Sequence, residues 1–474
     1  MKSFFFLIKK LKFPYLIILI AILISVVTSF NNLNKFDKIK INHNNKFYNQ
    51  LLYEDLANNW HNAHIFKKKL DDGQNFFQAL PSYDKFFLPN IFIGLYYYII
   101  NEEILEIKDN QKIIKTNNYK FGILLIQIIL YYISIFYLIK ELSTKLKKFN
   151  VNIITVFLSL EPSLLQWHSS FWTESIFLSF MVIIFTLLLK KSNSILINFI
   201  VGILVALMFA QRSVSFLFII PILLYYFLIY KKNVKPYFFL LTGYSLIILL
   251  IGLNNFKEKK YFYILSKDHQ YVSYYHYFAG RFLADREKLS KEEAFKVLEY
   301  NENQWKSENK IDLNNFEDYS KIINYRNNVF LDEVRKNLDY FFISFFKGAL
   351  ITAILHPTWV YDSYFVDKTD PEAIKNPKGY YNKNILRNII YSIFIYFFVL
   401  LGFFEFFKKI LIKKKVNHFE IFLILNILSM MYFLGISSMW ANPKYFAPCI
   451  INISFFFAEG VSFLRNKTNI FQKC

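Results

Sequence analysis

Apolar residues run through this chain in about ten stretches long enough to cross a bilayer, and only two long polar segments, roughly 30 to 119 and 255 to 385, interrupt the series. The runs lie at 13 to 29, 120 to 140, 151 to 167, 174 to 190, 194 to 210, 213 to 231, 236 to 254, 386 to 407, 418 to 436 and 445 to 463. Polar residues gather at their ends, as expected of helices solvated by lipid on most sides. The pattern predicts an all-α fold: a polytopic transmembrane helical bundle with two helical extracytoplasmic segments. By the same pattern, 1–254 is an N-terminal transmembrane module with a first outer loop at 30–119, 255–385 is an extracytoplasmic loop, and 386–474 holds the C-terminal transmembrane helices.

Two apolar stretches do not fit the series. LPNIFIGLYYYII at 88 to 100 is too short to span comfortably. DYFFISFFKGALITAIL at 340 to 356 is long enough, but if it crossed, the run KKILIKKK at 408 to 415 would face outward, against the strongest charge bias in the chain. Both are therefore expected to lie on or dip into the outer leaflet. Within the second polar segment, Ser290 followed by Glu293 in LSKEEAFKVLEY is a capping box opening a short amphipathic helix. A second helix is expected through NVFLDEVRKNLDYFF. No repeat and no Pro-rich or Gly-rich linker marks a domain boundary.

Composition supports a membrane setting, with 55% apolar residues, 20% aromatics and a mean hydropathy of +0.27. A soluble core could not hide that much Phe, Ile and Leu. The net charge of +21 would raise nucleic acid as a partner if the cations formed a patch. They do not. The excess sits at helix ends, at Lys2 to Lys12, Lys140 to Lys148, Lys190 and Lys191, Lys231 to Lys235, Lys408 to Lys415 and beyond Arg465, while the two long polar segments hold nearly all the Asp and Glu and come out near neutral. This is positive-inside topology: both termini cytoplasmic, both long segments on the outer side of the cytoplasmic membrane, and no nucleic acid partner. Two cysteines, Cys449 and Cys474, cannot support a disulfide framework. The N-terminal MKSFFFLIKKLKFPYLIILIAILISVV has the order of a signal peptide without a convincing cleavage site, and is expected to remain as a first helix.

On this topology the candidate chemistry gathers at the outer helix ends, where ionisable groups near the membrane need a partner or a role. The first loop carries LLYEDLANNWHNAH with Glu54 and Asp55 adjacent. EPSLLQWHSSFWTE places Glu161, His168 and Glu174 between two spans. FAQRSVS sets Arg212 at a turn, ILHPTWVYD brings His356, and MWANPKYFAP leads into the last span with Lys444 and Tyr445. Carboxylates, imidazoles and cations on one face suit group transfer from a phosphorylated substrate, with a base for the acceptor and cations for the leaving phosphate. Each residue also has a plainer reading. Glu54 and Asp55 could be solvated charges, Glu174 a helix N-terminal acid, His168 an interfacial histidine beside two tryptophans, and Arg212, Lys444 and Tyr445 interface anchors.

The order of these motifs resembles the GT-C superfamily of polyprenyl-phosphate-dependent membrane glycosyltransferases, in particular the branch of protein mannosyltransferases and lipid A aminoarabinose transferases. The matching pieces are EDLANNWHNA followed by ALPSYDKFFLPN, then EPSLLQWHSSFWTESIF, GILVALMFAQRS and NPKYFAP, which together cover most of the chain. The resemblance implies a sugar donor linked to polyprenyl phosphate, a lipid, glycan or protein acceptor, and inverting transfer. It puts the general base on Asp55 with Glu54 as neighbour, donor-phosphate contacts on Arg212, Lys444 and Tyr445, and supporting roles on Glu174, His168 and His356. A second register would put the base position near Asn49 and remove its carboxylate. No cofactor is implied with certainty; a divalent cation near Glu174 is compatible with the resemblance. An envelope polysaccharide polymerase or ligase, whose essential residues are outer-loop Arg and His, and a transporter or flippase remain as alternatives.

Overall fold

The computed structural model describes residues 12–36, 54–81, 87–108, 111–114, 119–169, 173–190, 192–259, 262, 264, 275, 279–312, 316–354, 377–412, 416–440 and 446–471. The apolar runs form helices: α1 (Phe13–Phe36), α5 (Tyr119–Leu142), α6 (Lys148–Leu160), α7 (Pro162–His168), α8 (Glu174–Leu189), α9 (Ile195–Gln211), α10 (Ile219–Tyr230), α11 (Val234–Lys259), α16 (Pro377–Ile412), α17 (His418–Trp440) and α18 (Ala447–Phe471). The first polar segment contributes α2 (Glu54–Asp71), α3 (Phe76–Ala79), α4 (Phe87–Ile99) and an antiparallel hairpin, β1 (Leu105–Lys108) with β2 (Gln111–Ile114). The second contributes α12 (Gly280–Glu287), α13 (Lys291–Glu308), α14 (Phe316–Lys336) and α15 (Leu338–Ile354).

Among the described residues, seven helical stretches are long and apolar enough to cross a membrane: Phe13–Asn31, Lys120–Leu142, Ser213–Tyr230, Val234–Lys257, Leu386–Ile412, His418–Ile436 and Ala447–Lys467. Three expected spans, 151 to 167, 174 to 190 and 194 to 210, are shorter. The first of them breaks. Pro162 has no N–H to continue α6 and disfavours helical geometry in the residue before it, so Glu161 turns out of the helix at φ −60°, ψ 125°. The Glu161 carboxylate then caps the new helix α7, accepting from the Leu164 N–H at 2.9 Å.

Ring and hydrogen-bond contacts fix how the helices run. Tyr15 meets Phe136 and Phe30 meets Phe121, so α1 and α5 are antiparallel. Phe177 with Phe433 and Phe185 with Phe422 set α8 antiparallel to α17, and Phe157 with Phe457 and Arg465 with Phe149 set α6 antiparallel to α18. Backbones touch where α16 meets α18: a Cβ on Gly402 would lie 1.9 Å from the Phe456 carbonyl, and one on Gly460 as close to that of Phe398. Only glycine permits that approach. One end of the bundle, here the upper, therefore collects the end of α1, α6, α9, α11 and α17 and the start of α5, α8, α16 and α18. The opposite, lower end carries Lys140, Lys145, Lys147, Lys148, Lys190, Lys231, Lys232, Lys235, Lys408, Lys409, Arg465 and Lys467.

At the upper end the first polar segment folds onto the bundle through α2 and α4. Trp60, Ala63 and Phe66 of α2 are fully buried, Trp60 meets Tyr97 of α4 edge-on at 5.8 Å, and Asn254 of α11 donates to the Pro81 carbonyl at 2.7 Å. Lys67 is buried beside Asp71 at 2.6 Å and Glu103 at 3.5 Å. Burial works against its charge, but these two carboxylates outweigh that and hold the ammonium above the usual lysine range. In the second segment the expected capping box forms, with Glu293 N–H donating to Ser290 Oγ and Ser290 N–H to the Glu293 carboxylate. The helix expected through 328 to 342 is instead two helices divided at Asn337, whose carbonyl accepts from Phe341 N–H to start α15. Asp285 of α12 binds Ser344 and Lys347 near the start of α15, while Tyr396 of α16 donates to the Ala353 carbonyl at its far end. Phe342, Ile343, Phe346 and Leu350 form the exposed apolar side of α15.

Candidate functional site

The α6–α7–α8 connection is rich in buried polar side chains. Glu161, Ser163, His168, Ser169, Thr173, Glu174 and Ser175 are each less than a tenth exposed, as are Gln211 and Arg212 where α9 ends beside it. Arg212 Nη1 donates to the Glu174 carboxylate across 38 residues of sequence. Gln211 Nε2 donates to the Thr173 carbonyl at 2.9 Å, and Thr173 Oγ1 to Glu174 at 3.3 Å. The start of α8 is thus tied to the end of α9 by an ion pair and a side chain to backbone bond. Opposite charges at this spacing offset the cost of burying either one.

His168 closes the other side. Its ring stacks on Tyr131 of α5 with centroids 3.6 Å apart, and its Nδ1 lies 2.8 Å from Ser175 Oγ, one residue after Glu174. Tyr131 and Tyr132 donate to the carbonyls of Leu158 and Ser159, the last turn of α6, and Tyr132 Oη meets Ser25 Oγ of α1 at 3.0 Å. Glu161 also receives the Ser163 hydroxyl and, at 3.4 Å, Tyr391 Oη of α16. Four further helices, α1, α5, α9 and α16, therefore converge on this connection.

Its depth follows from helix geometry. At 1.5 Å per residue, Ser25 lies about 9 Å below the end of the α1 apolar stretch at Asn31, and Tyr132 about 18 Å below Lys120. Between these two depths the outward faces of α1 and α5 are apolar and exposed, Leu23 at 56% and Ile129 at 44%. Glu161, His168 and the Glu174–Arg212 pair sit behind that apolar belt, below the upper rim. Ionisable groups at such depth belong to bundle interiors and functional pathways.

Of the residues singled out in the sequence, Glu174, Arg212 and His168 are brought together here. Arg212 does not stand as an uncommitted cation, because the Glu174 carboxylate takes its charge. Glu54 and Asp55 open α2, but their side chains lie outside the described residues, as do Lys444, Tyr445, His356 and Asn49. Ser175, Gln211, Tyr131 and Tyr391 belong to the cluster and carried no signal in the sequence beyond lying near the ends or in the middle of apolar runs. Among the described residues no group of three or more His, Cys, Asp or Glu could hold a metal ion. Glu174, the carboxylate expected near a cation, is instead paired with Arg212.

No protein-family model matches the sequence, and no curated protein matches it either. Solved structures similar to the chain include three of an oligosaccharyltransferase from the archaeon Archaeoglobus fulgidus. One is a complex with Zn and sulfate, at 12% identity and TM-score 0.43, covering 96% of this chain and 50% of that one. The second, AglB with an inhibitory peptide and a dolichol-phosphate, is 12% identical at TM-score 0.44, covering 97% and 51%. The third, tethered to an acceptor peptide containing the NVT sequon, is 13% identical at TM-score 0.43, covering 98% and 51%. The chain spans about half the length of these proteins. A superposition this loose identifies neither a family nor an activity.

Proposed function

We propose that the protein is an integral membrane glycosyltransferase of GT-C type that moves a sugar from a polyprenyl-phosphate donor to an acceptor, with its site at the upper, extracytoplasmic end. The observation that carries this reading is the buried Glu174–Arg212 pair, held with His168 and Glu161 at the end of the bundle opposite the lysines. The positive-inside bias puts the lysine-rich end in the cytoplasm, and with it both termini in the inner membrane topology. The motif order of the sequence supplies the chemistry.

In the reaction, the Asp55 carboxylate accepts the proton of an acceptor hydroxyl as its oxygen bonds to the anomeric carbon. The bond from that carbon to the phosphate oxygen breaks on the opposite face, inverting the centre, and the electron pair leaves on the polyprenyl phosphate. Cations stabilise that developing charge. Because Arg212 is engaged by Glu174, the phosphate falls chiefly to Lys444 and Tyr445, and the Glu174–Arg212 pair has a supporting role. Glu54 lies next to the base, and His168 and His356 support the site.

The direct test is transfer of radiolabelled sugar from polyprenyl phosphate to membrane acceptors by the protein in nanodiscs. Asp55→Asn is expected to lower the rate by about 10²–10⁴-fold, the usual worth of a general base, with unchanged thermal stability. Full activity in Asp55→Asn would sink this assignment. The clustering of Arg212 with His168 keeps a second reading, an envelope polysaccharide polymerase or ligase. It predicts indifference to Asp55→Asn and loss of activity in His168→Ala.

A further inference from the structure

The helices α17 and α18 carry polar side chains where the sequence is otherwise apolar, and their register brings these face to face. Cys449 Sγ lies 3.7 Å from the Met430 carbonyl, and Phe422 meets Phe455 with centroids 5.4 Å apart. Midway between these two contacts, Asn426 of α17 stands opposite Asn452 of α18. Both are fully buried, as is Ser429, one turn further along α17. Each asparagine turns its amide N–H onto its own helix, Asn426 Nδ2 to the Phe422 carbonyl at 2.8 Å and Asn452 Nδ2 to the Pro448 carbonyl at 3.3 Å. Asn426 Oδ1, Asn452 Oδ1 and Ser429 Oγ are left buried, without a hydrogen-bond partner among the described residues.

Three orphaned oxygens at fully buried positions of two otherwise apolar helices are costly unless something satisfies them. We infer that Asn426, Asn452 and Ser429 form a binding site for one buried water that pins α17 to α18. The donor and acceptor inventory closes on that ligand. Water donates one O–H to each asparagine oxygen and accepts the Ser429 hydroxyl, about three bonds, as is usual for an internal water. A cation does not fit, since three neutral oxygens fall short of the ligand number and charge a hard ion requires. Residues 441–445, which join the two helices, include Lys444 and Tyr445. On the glycosyltransferase reading, the water therefore sets the register of the hairpin that presents the phosphate-binding cation.

The test uses the full chain in nanodiscs and reads heat unfolding by intrinsic fluorescence, which needs no substrate. Its failure is thus distinct from failure of the transfer reading. Asn426→Leu and Asn452→Leu should each lower the unfolding temperature, and the double variant should lower it by less than either single variant. Ser429→Ala should also lower it in the native background, and lose that effect in the double variant. Additive losses, or a Ser429→Ala variant indistinguishable from the native protein, overturn the site. The second result would point instead to a direct amide to amide bond between the asparagines. Should the variants fail to fold, density for the native protein at a resolution that shows waters decides it. A peak within hydrogen-bond distance of all three oxygens upholds the site, and apolar packing or an Asn426–Asn452 bond there overturns it.

Discussion

The bundle and the helical layer formed by α12 to α14 each bury a carboxylate–arginine pair, Glu174–Arg212 in the one and Glu302–Arg326 in the other. The layer pair is closed on itself. Arg326 donates from two nitrogens to Glu302 at 2.7 and 2.6 Å, Lys306 adds a second cation at 2.5 Å, and Trp305 stacks on Tyr325 at 4.5 Å alongside. That is bidentate geometry joining α13 to α14, with the remaining space filled by rings. The bundle pair lies at helix ends behind an apolar belt, and nearby Gln211 Oε1 and His168 Nε2 have no hydrogen-bond partner among the described residues. Burial alone does not separate a strut from a site. The completeness of the surrounding hydrogen bonding does, because orphaned polar atoms beside a charge pair leave room for a ligand and a saturated pair does not.

Substitutions distinguish the two pairs. The largest effect belongs to Glu174→Gln, which strands the Arg212 charge in the bundle and should cost about 3–5 kcal/mol, read as lost thermal stability and lost transfer. Removing both charges together in Glu174→Leu with Arg212→Met should recover most of the stability but not the activity. The matching double change Glu302→Leu with Arg326→Met should recover both, and a loss of activity there would erase the distinction between the two pairs. Glu302→Gln alone should cost less, about 1.5–3 kcal/mol, since it weakens charged hydrogen bonds in a layer outside the bundle, where solvent reaches Arg326 and Lys306 more readily than Arg212.

A pH dependence follows for the layer. Burial opposes the Glu302 charge, but the bonds from Arg326 and Lys306 outweigh it and hold the carboxyl below the usual glutamate range. A carboxyl with a depressed folded pKa stabilises the fold above its unfolded pKa, about 4.3, and that contribution is lost as pH falls through the folded value. Pepsin cleavage within 291–336 should therefore rise only below about pH 4, and rise at higher pH in Glu302→Gln. Smallest is Ser290→Ala, which removes the Oγ acceptor for Glu293 N–H and should cost about 1 kcal/mol with transfer unchanged.

Much of the fold was legible because lipid solvation writes long apolar runs and the positive-inside bias marks their ends. The Ser290 cap was legible because its bonds are local. The break at Glu161 was marked by Pro162 but masked by apolar residues on both sides of it, so helix continuity was overestimated there. The hairpin of β1 and β2 has isoleucines on either side of Asp109 and Asn110, a turn signal too short to stand out in a segment of mostly helical pattern. The Glu174–Arg212 pair was legible only as shared sidedness. No sequence spacing pairs residues 38 apart on different helices, and so the engagement of Arg212 by Glu174, in place of a cation open to phosphate, required the structure. Asn426 and Asn452 were hidden for a related reason, since a polar residue inside an apolar run declares its partner only through helix register.

The central claim is that the upper end binds a polyprenyl phosphate beside a titratable base. The most direct measurement is a structure of the protein in nanodiscs with polyprenyl phosphate bound. The phosphate is expected within about 3 Å of Lys444 or Tyr445, with the Asp55 carboxylate about one sugar's width away and facing it. A phosphate bound elsewhere on the bundle, or Asp55 turned to bulk solvent well beyond that reach, would contradict it.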